Sequence, residues 1–451
     1  MTTRVFAFIG AAFLLGAVAH AAPPPAPSFA RATQYRTTNG AADVVIGDLN
    51  GDGRPDIAAA NPSEARYEDD PTGTISVFLN RGDGTFAPRR DYITGDYPVS
   101  LAIADVDSDG RPDLAAANRE DYSEEQHFTV SVLMNRGDGS FSPRQDYPVG
   151  EDEPSSLAFG DVDGNGSPDL VIATDRLSVL LNDGHGSFGA RHDYLIPAPD
   201  VVALADVNGD GAIDALAGSN ATVAVLINDG HGIFGAPTTF AVGGDLSDLA
   251  TGDLNGDGRV DLAVGHDSLF EPSYISVLLN AGNGAFGAKR QYQLVEGWGS
   301  VAIADANGDG TQDIVGANAG GLRVSILYGT GGGSFLPPLA YSTGAAPVAV
   351  AVGDLDSDGR PDLVTANNED VATVSVLLSK PGLCNVQNLR RMAVPAARNT
   401  LARAHCTLGR VQSAPSRTVR KGHVISQKPL FGAVRPAGAR VGIVISSGRK
   451  R

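Results

Sequence analysis

Past its first residues the chain has no apolar run near the roughly 20 residues that a transmembrane helix needs, which excludes a helical membrane span. Cysteine is almost missing. The only two, Cys384 and Cys406, both lie near the C-terminal end, so the long region before them must fold without disulfides. Acid is missing from that same end: Leu383 to Arg451 holds 14 Lys/Arg and no Asp or Glu, leaving 20 bases against all 52 acids in the rest. Neither a Gly-x-Ser-x-Gly elbow nor a His-Glu-x-x-His pair occurs, which removes two common hydrolase signatures.

What the chain does contain is one acidic loop, Asp-x-[Asp/Asn]-x-[Asp/Asn]-Gly-x-x-Asp, written seven times at a spacing of roughly fifty residues. Such a period points to a repeat architecture rather than to unrelated domains. At positions 1, 3, 5, 7 and 9 the first loop carries Asp48, Asn50, Asp52, Arg54 and Asp56, and the second Asp105, Asp107, Asp109, Arg111 and Asp113. The third has Asp161, Asp163, Asn165, Ser167 and Asp169; the fourth has Asp206, Asn208, Asp210, Ala212 and Asp214. Asp253, Asn255, Asp257, Arg259 and Asp261 form the fifth, and Asp305, Asn307, Asp309, Thr311 and Asp313 the sixth. Asp354, Asp356, Asp358, Arg360 and Asp362 complete the series.

Calcium takes six to eight hard oxygens, which a short loop supplies if alternate side chains turn inward, position 7 offers its backbone carbonyl and a final Asp closes the cage. Of the 52 acids, 23 stand at these positions, where like charges crowd unless a cation intervenes. The expectation is about seven Ca²⁺ sites. An EF-hand is excluded because position 12 of the first loop is Ala59 rather than Glu.

Met1 to Ala21 carries a lone Arg4, an apolar run from Val5 to Val18 and a small-residue end, the anatomy of a secretory signal peptide. Residues 22–28 read as a Pro-rich linker. The expected location is secreted or extracellular, in association with the cell wall.

Between loops the unit from Phe86 to Asn135 repeats four strand signals: Phe86–Tyr92, Val99–Val106, Leu114–Asn118 and Val130–Asn135. The strands flanking the loop are rich in Ala, a poor β-former, which suits a crowded axis. A Phe followed six residues later by an aromatic precedes each loop, and the copy missing after the last loop is found at Phe29/Tyr35. The N-terminal strand is therefore expected to complete the last blade, closing the circle and removing two sheet edges. Loops of the form Asp48-Leu49-Asn50-Gly51-Asp52-Gly53-Arg54-Pro55-Asp56, with Phe-containing turns, resemble the FG-GAP/VCBS repeats of integrin α-like propellers. The resemblance implies an all-β, seven-bladed β-propeller of four-stranded blades over residues 29–380.

Other signals are weaker. Gly184-His185-Gly186-Ser187-Phe188-Gly189 satisfies a dinucleotide pattern but sits in a hairpin turn, so no nucleotide or nucleic-acid partner is expected. Arg81-Gly82-Asp83 and Arg136-Gly137-Asp138 spell an adhesion tripeptide where other copies have Asp183-Gly184-His185, as a turn with free choice would. The acidic insertions bearing Tyr67 and Tyr122 offer a binding face, and Trp298 a sugar-stacking ring.

The cysteines form an even pair, which in a secreted chain reads as a disulfide, Cys384–Cys406. Val394-Pro395, Ala397/Leu401/Ala404, Gly422-His423-Val424-Ile425-Ser426-Gln427-Lys428-Pro429, Gly432, Gly438, Val441 and Ser446-Ser447-Gly448 resemble a PASTA domain over residues 381–451. That resemblance implies a small α+β fold and partners such as peptidoglycan, a cell-wall glycan or anionic wall polymer, or a surface protein. No catalytic residue is assigned: the reading is a non-catalytic binding or adhesion scaffold. A calcium-dependent lectin or polysaccharide-active enzyme (lyase or hydrolase) is the alternative class.

Overall fold

The computed structural model describes residues 28–63, 73–119, 128–150, 153–267, 273–294, 299–344, 346–368, 372–380, 384–385, 388–403, 406–430, 433–435 and 439–448. The expected signal segment and nearly all of the Pro-rich linker lie outside them. So do Tyr67, Tyr122, Trp298, Ala404, Gly432 and Gly438. Residues 26–382 form one compact unit, and Leu383–Arg451 belongs to another.

In the larger unit the described strands make seven four-stranded antiparallel sheets. Sheet 1 is Asp43–Gly47, Asp56–Asn61, Thr74–Phe78 and Arg90–Ile93; sheet 2 is Pro98–Ala104, Asp113–Asn118, Phe128–Leu133 and Gln145–Gly150. Sheets 3 to 6 repeat the order, opening with Ser156–Gly160, Val201–Ala205, Asp245–Gly252 and Val301–Ala304. In each, the acidic loop joins the first strand to the second. Sheet 7 takes its first three strands, Pro347–Gly353, Asp362–Asn367 and Thr373–Leu377, from the end of the unit and its fourth, Thr33–Arg36, from the beginning. Tyr35 stands opposite Val374 in that register, the pairing expected from the displaced Phe29/Tyr35 copy.

The first strand of each sheet touches the first strand of the next, and that of sheet 7 touches that of sheet 1, so the seams form a closed cycle. Second strands are buried along their whole length, as in Asp56–Asn61 and Asp113–Asn118. Their alternating side chains feed two different cores. Ile57 and Ala59 pack with Ala349 and Val364 of sheet 7, whereas Ala58 and Ala60 pack with Leu101 and Leu114 of sheet 2. The Ala-rich strand is thus mainly the second, not one at the axis. A strand covered on both faces at sheet-packing distance has room only for small side chains, while the first strands remain half-exposed.

The fourth strand of sheet 1 covers only Arg90–Ile93, with Phe86 in an isolated bridge to Asn80. Phe86 instead serves the seam: its ring meets Tyr35 of sheet 7 edge-on at 5.3 Å. The same pairing recurs as Tyr92–Phe141, Tyr147–Phe188, Tyr194–Phe234, Phe240–Phe286 and Tyr292–Phe335, and Phe29 on Tyr341 at 4.9 Å supplies the pair between sheets 6 and 7. Each edge-to-face contact is worth about 0.5–1.5 kcal/mol beyond its buried area.

In the smaller unit, helix Val394–Arg403 packs on Cys406–Ala414, the edge of a three-stranded sheet. Cys406–Ala414 runs parallel to Ala439–Ser446, which pairs antiparallel with Val424–Lys428. Ala397 and Leu401, one turn apart on the helix, join Leu389, Val424, Val441 and Ile443 in its core.

Removing residues 28–36 takes the fourth strand from sheet 7 and one aromatic ring from each of two seams. The melting temperature should fall by more than about 10 °C, beyond the few degrees that a 1 kcal/mol loss produces in a domain this large. Calorimetry showing no change would contradict closure by this segment.

Candidate metal centres

Each loop is held by hydrogen bonds to its own carboxylates. In all seven the Gly at position 6 donates its N–H to the Asp at position 1, at 2.7–2.9 Å. Position 7 donates its N–H to the side chain at position 5, at 2.7–3.0 Å. Gly53 makes its turn at φ +80°, a left-handed conformation costly for any residue with a Cβ. In the first loop the side chains at positions 1 and 3 are gathered on the N–H of position 5, at 3.1 and 2.9 Å.

Position 9 has a second role that its spacing did not reveal. Asp56 is fully buried; its Oδ2 accepts the Leu49 N–H at 3.0 Å and its Oδ1 the Asn80 N–H at 2.7 Å. One carboxylate therefore ties the start of the loop to the end of the third strand. The Oδ1 half of this bracket recurs in every sheet, at 2.6–2.8 Å. The Oδ2 half is missing only in the sixth loop, where Asp313 Oδ2 is buried without a hydrogen-bond partner and Ala306 N–H turns to Ala304 O.

The Asn that meets position 9 is the residue the sequence reading missed. Asn80 Nδ2 donates to Pro55 O of its own loop and to Leu355 O of the seventh loop, both at 2.8 Å. Asn135, Asn182, Asn228 and Asn280 likewise reach position 2 of the preceding loop, at Leu49, Val106, Val162 and Val207. This clasp spans five of the seven seams; Gly329 and Ser379 occupy its place in sheets 6 and 7. The available signal was an Asn directly before five Gly-rich turns, which reads equally well as ordinary turn chemistry.

Burial raises the position-9 carboxyls against these backbone donors, to about 6 for Asp56, Asp113 and Asp362. Asp313 is pushed up to about 8, chiefly by burial, and the Ala306 N–H, bonded to Ala304 O, offsets this least among its backbone donors. Asp43, half-exposed on the first strand of sheet 1, is pushed up to about 7 chiefly by loss of hydration among its neighbours, with the charge of Asp248 adding a smaller push. It accepts Leu101 N–H across the seam at 2.8 Å, as Asp248 accepts Val301 N–H at 2.7 Å.

Three loops bring three carboxylates together with oxygens within 4.8 Å of one another: Asp105, Asp107 and Asp113; Asp161, Asp163 and Asp169; Asp354, Asp356 and Asp362. In the other four, position 3 is Asn50, Asn208, Asn255 or Asn307, whose amide oxygen is an equivalent hard donor. Asp356 Oδ1 is buried without a hydrogen-bond partner, an acceptor that a cation would satisfy. In the loops with Arg at position 7, that side chain turns back on the position-5 carboxylate, as in Arg111–Asp109 at 2.8 Å and Arg259–Asp257 at 2.5 Å. These exposed pairs contribute little stability and offer a weaker substitute for a bound ion.

A family model for the FG-GAP-like repeat matches residues 48–116, 105–172, 206–264 and 305–365. Among solved structures, BBS1N in complex with ARL6DN, soaked with lead, aligns at TM-score 0.55 and 12% identity, covering 78% of this chain and 97% of that one. The same complex soaked with mercury gives 0.52 and 14%, over 78% and 98%. An Agrocybe aegerita lectin that recognises non-reducing terminal N-acetylglucosamine gives 0.49 and 22%, over 76% and 86%. The BBS1N likeness is one of fold.

Because the folded-state values of Asp56, Asp113, Asp362, Asp43 and Asp313 lie above the unfolded value near 3.9, the folded metal-free protein holds protons that the unfolded chain has released. Stability is then fully present below about pH 4 for these groups and is lost as pH rises to about 8. Chelated protein should melt higher at about pH 5 than at about pH 7.5, and saturating divalent metal should shrink or reverse the difference. A metal-free melting temperature that rises over this range would contradict the assignment.

Proposed function

The chain belongs to the FG-GAP-like repeat family, and from that premise we propose that residues 29–380 are a seven-bladed, calcium-stabilised β-propeller serving as a non-catalytic binding scaffold outside the cell. The observation that carries this reading is the convergence of carboxylates in loops joined through a closed cycle of seams. Every donor gathered there is oxygen, which favours a hard cation of high coordination number over zinc or copper. Bound Ca²⁺ would be held by positions 1, 3, 5 and 9 and the position-7 carbonyl, and would supply the positive charge that the clustered acids lack.

Residues 381–451 are proposed as a PASTA-like module directed at peptidoglycan or another anionic wall polymer. A helix on a three-stranded sheet and the excess of 14 bases support that reading. A Cys384–Cys406 disulfide fits the small core, where Cys406 is buried; the Cys384 side chain lies outside the described residues. Closing a loop of about twenty residues would contribute roughly 3 kcal/mol. The apolar segment 5–18 supports export.

Elemental analysis of purified protein should give about seven calcium ions per chain, and replacing Asp253 and Asp257 together by Ala should remove one. An unchanged ratio would refute that loop as a site. On an array of bacterial-wall and plant glycans, retention that chelator abolishes, without new chain ends, is expected. Depolymerisation would establish the enzyme alternative instead.

A further inference from the structure

Two neighbouring seams carry one motif that the other units do not: Arg81-Gly82-Asp83-Gly84-Thr85-Phe86-Ala87-Pro88-Arg89 and Arg136-Gly137-Asp138-Gly139-Ser140-Phe141-Ser142-Pro143-Arg144. Elsewhere the turn opens with Asp183, Asp229, Ala281 or Thr330, and no Pro-Arg follows the Phe at this spacing. Each motif lines a cleft. The one between sheets 7 and 1 has a volume of about 650 Å³ and is lined by Tyr35, Arg36, Arg81, Phe86, Pro88 and Arg89 among others. The one between sheets 1 and 2, of about 510 Å³, is lined by Tyr92, Ile93, Arg136, Phe141, Pro143 and Arg144 among others. Both volumes lie in the range of small-molecule sites.

The two clefts share an aromatic base and arginines, and Asp91 lines both of them. Their base is an edge-to-face aromatic pair, Tyr35–Phe86 at 5.3 Å and Tyr92–Phe141 at 5.2 Å, in which the tyrosine is half-buried and offers an apolar edge. Arg89 is fixed by Asp91 at 3.0 Å and Arg36 O at 3.2 Å; Arg144 is fixed by Asp146 at 2.8 Å and Thr94 O. The first arginines differ from these. Arg81 and Arg136 are exposed and make no ion pair among the described residues.

The aspartates of the two Arg-Gly-Asp tripeptides are exposed, and each brackets its own turn through one oxygen. Asp83 accepts the Thr85 N–H at 3.0 Å and its hydroxyl at 2.5 Å, and Asp138 accepts the Ser140 N–H at 2.9 Å. Each aspartate keeps one oxygen on its own turn and stays exposed, while the guanidiniums of Arg81 and Arg136 line the clefts. On a body with 20 bases and 52 acids, such Arg-lined clefts are where an anion can approach.

We infer that these two clefts are twin binding sites for an acidic saccharide, a pyranose ring bearing a carboxylate. The guanidinium of Arg81 or Arg136 takes the carboxylate in a forked pair of charge-assisted hydrogen bonds, and the Tyr edge and Pro ring take the C–H face of the sugar. Adjacent copies let one polyanionic chain engage both, so the second contact is intramolecular. This rests on the scaffold reading above and names its ligand class.

The test is titration calorimetry of the full chain in saturating calcium, with a tetrasaccharide alternating glucuronate and N-acetylglucosamine as probe and its carboxyl-reduced neutral counterpart as control. Two sites per chain are expected for the acidic probe. R81A should leave one. R81A/R136A should weaken binding at least about tenfold with no change in melting temperature, the loss expected of charge-assisted bonds at exposed residues. Equal binding of the neutral probe, wild-type affinity in the double variant, equal displacement by a hexaglutamate peptide, or no binding by wild type would each overturn the inference. Retention on the glycan array with no titratable binding would remove the clefts and leave the scaffold standing; cleft binding accompanied by new chain ends would do the reverse.

Discussion

The structure depends on a buried carboxylate that accepts backbone amides from both sides. Position 9 of each loop sits at the start of a second strand, where both faces are covered and an ionised group is costly unless its oxygens are hydrogen-bonded. Asp56 meets that demand by joining Leu49 to Asn80. Loop conformation, strand pairing and seam are therefore fixed by one residue type repeated in seven sheets. Asn extends the bond outward, because its amide satisfies carbonyls of two successive loops together. Across the five seams that carry this Asn, each loop is tied to the one before it.

This arrangement links electrostatics to architecture. The charges that would hold a cation are the same groups that brace the sheets, so neutralising them by proton or by metal acts on the fold as well as on the site. The raised values of Asp56, Asp113 and Asp362 express that conflict: burial favours the protonated form, while a bound cation would favour the ionised one. The proposed ions are thus best regarded as part of the framework, and the seam clefts as the surface it supports.

Much of this was legible in sequence because the repeat writes it seven times. The loop register, the order of strands, the transfer of Tyr35 to the last sheet and the pairing of Phe29 with Ser379 beside it all follow from counting. What could not be counted was partnership across seams. Phe86 and Tyr92 stand six apart and suggest one strand, yet each ring pairs with a different neighbouring unit. Spacing carries no information about which neighbour a side chain meets. Asn80 was hidden for a related reason: before a Gly-rich turn Asn is common for local reasons, and its long-range bond to Leu355 leaves no local trace. The alanines were read as crowding near the axis when their crowding arises one strand further out, between two covering sheets.

The clasp is missing where Gly329 and Ser379 replace Asn, and those two positions guard both flanks of sheet 6. The same sheet contains Asp313, the bracing carboxylate with an unanswered oxygen. A hoop loaded evenly parts at its least-fastened stave. Here that stave adjoins the segment where the two distant stretches of chain are joined without a covalent link, so the fewest fastenings and the natural split of the cycle lie side by side.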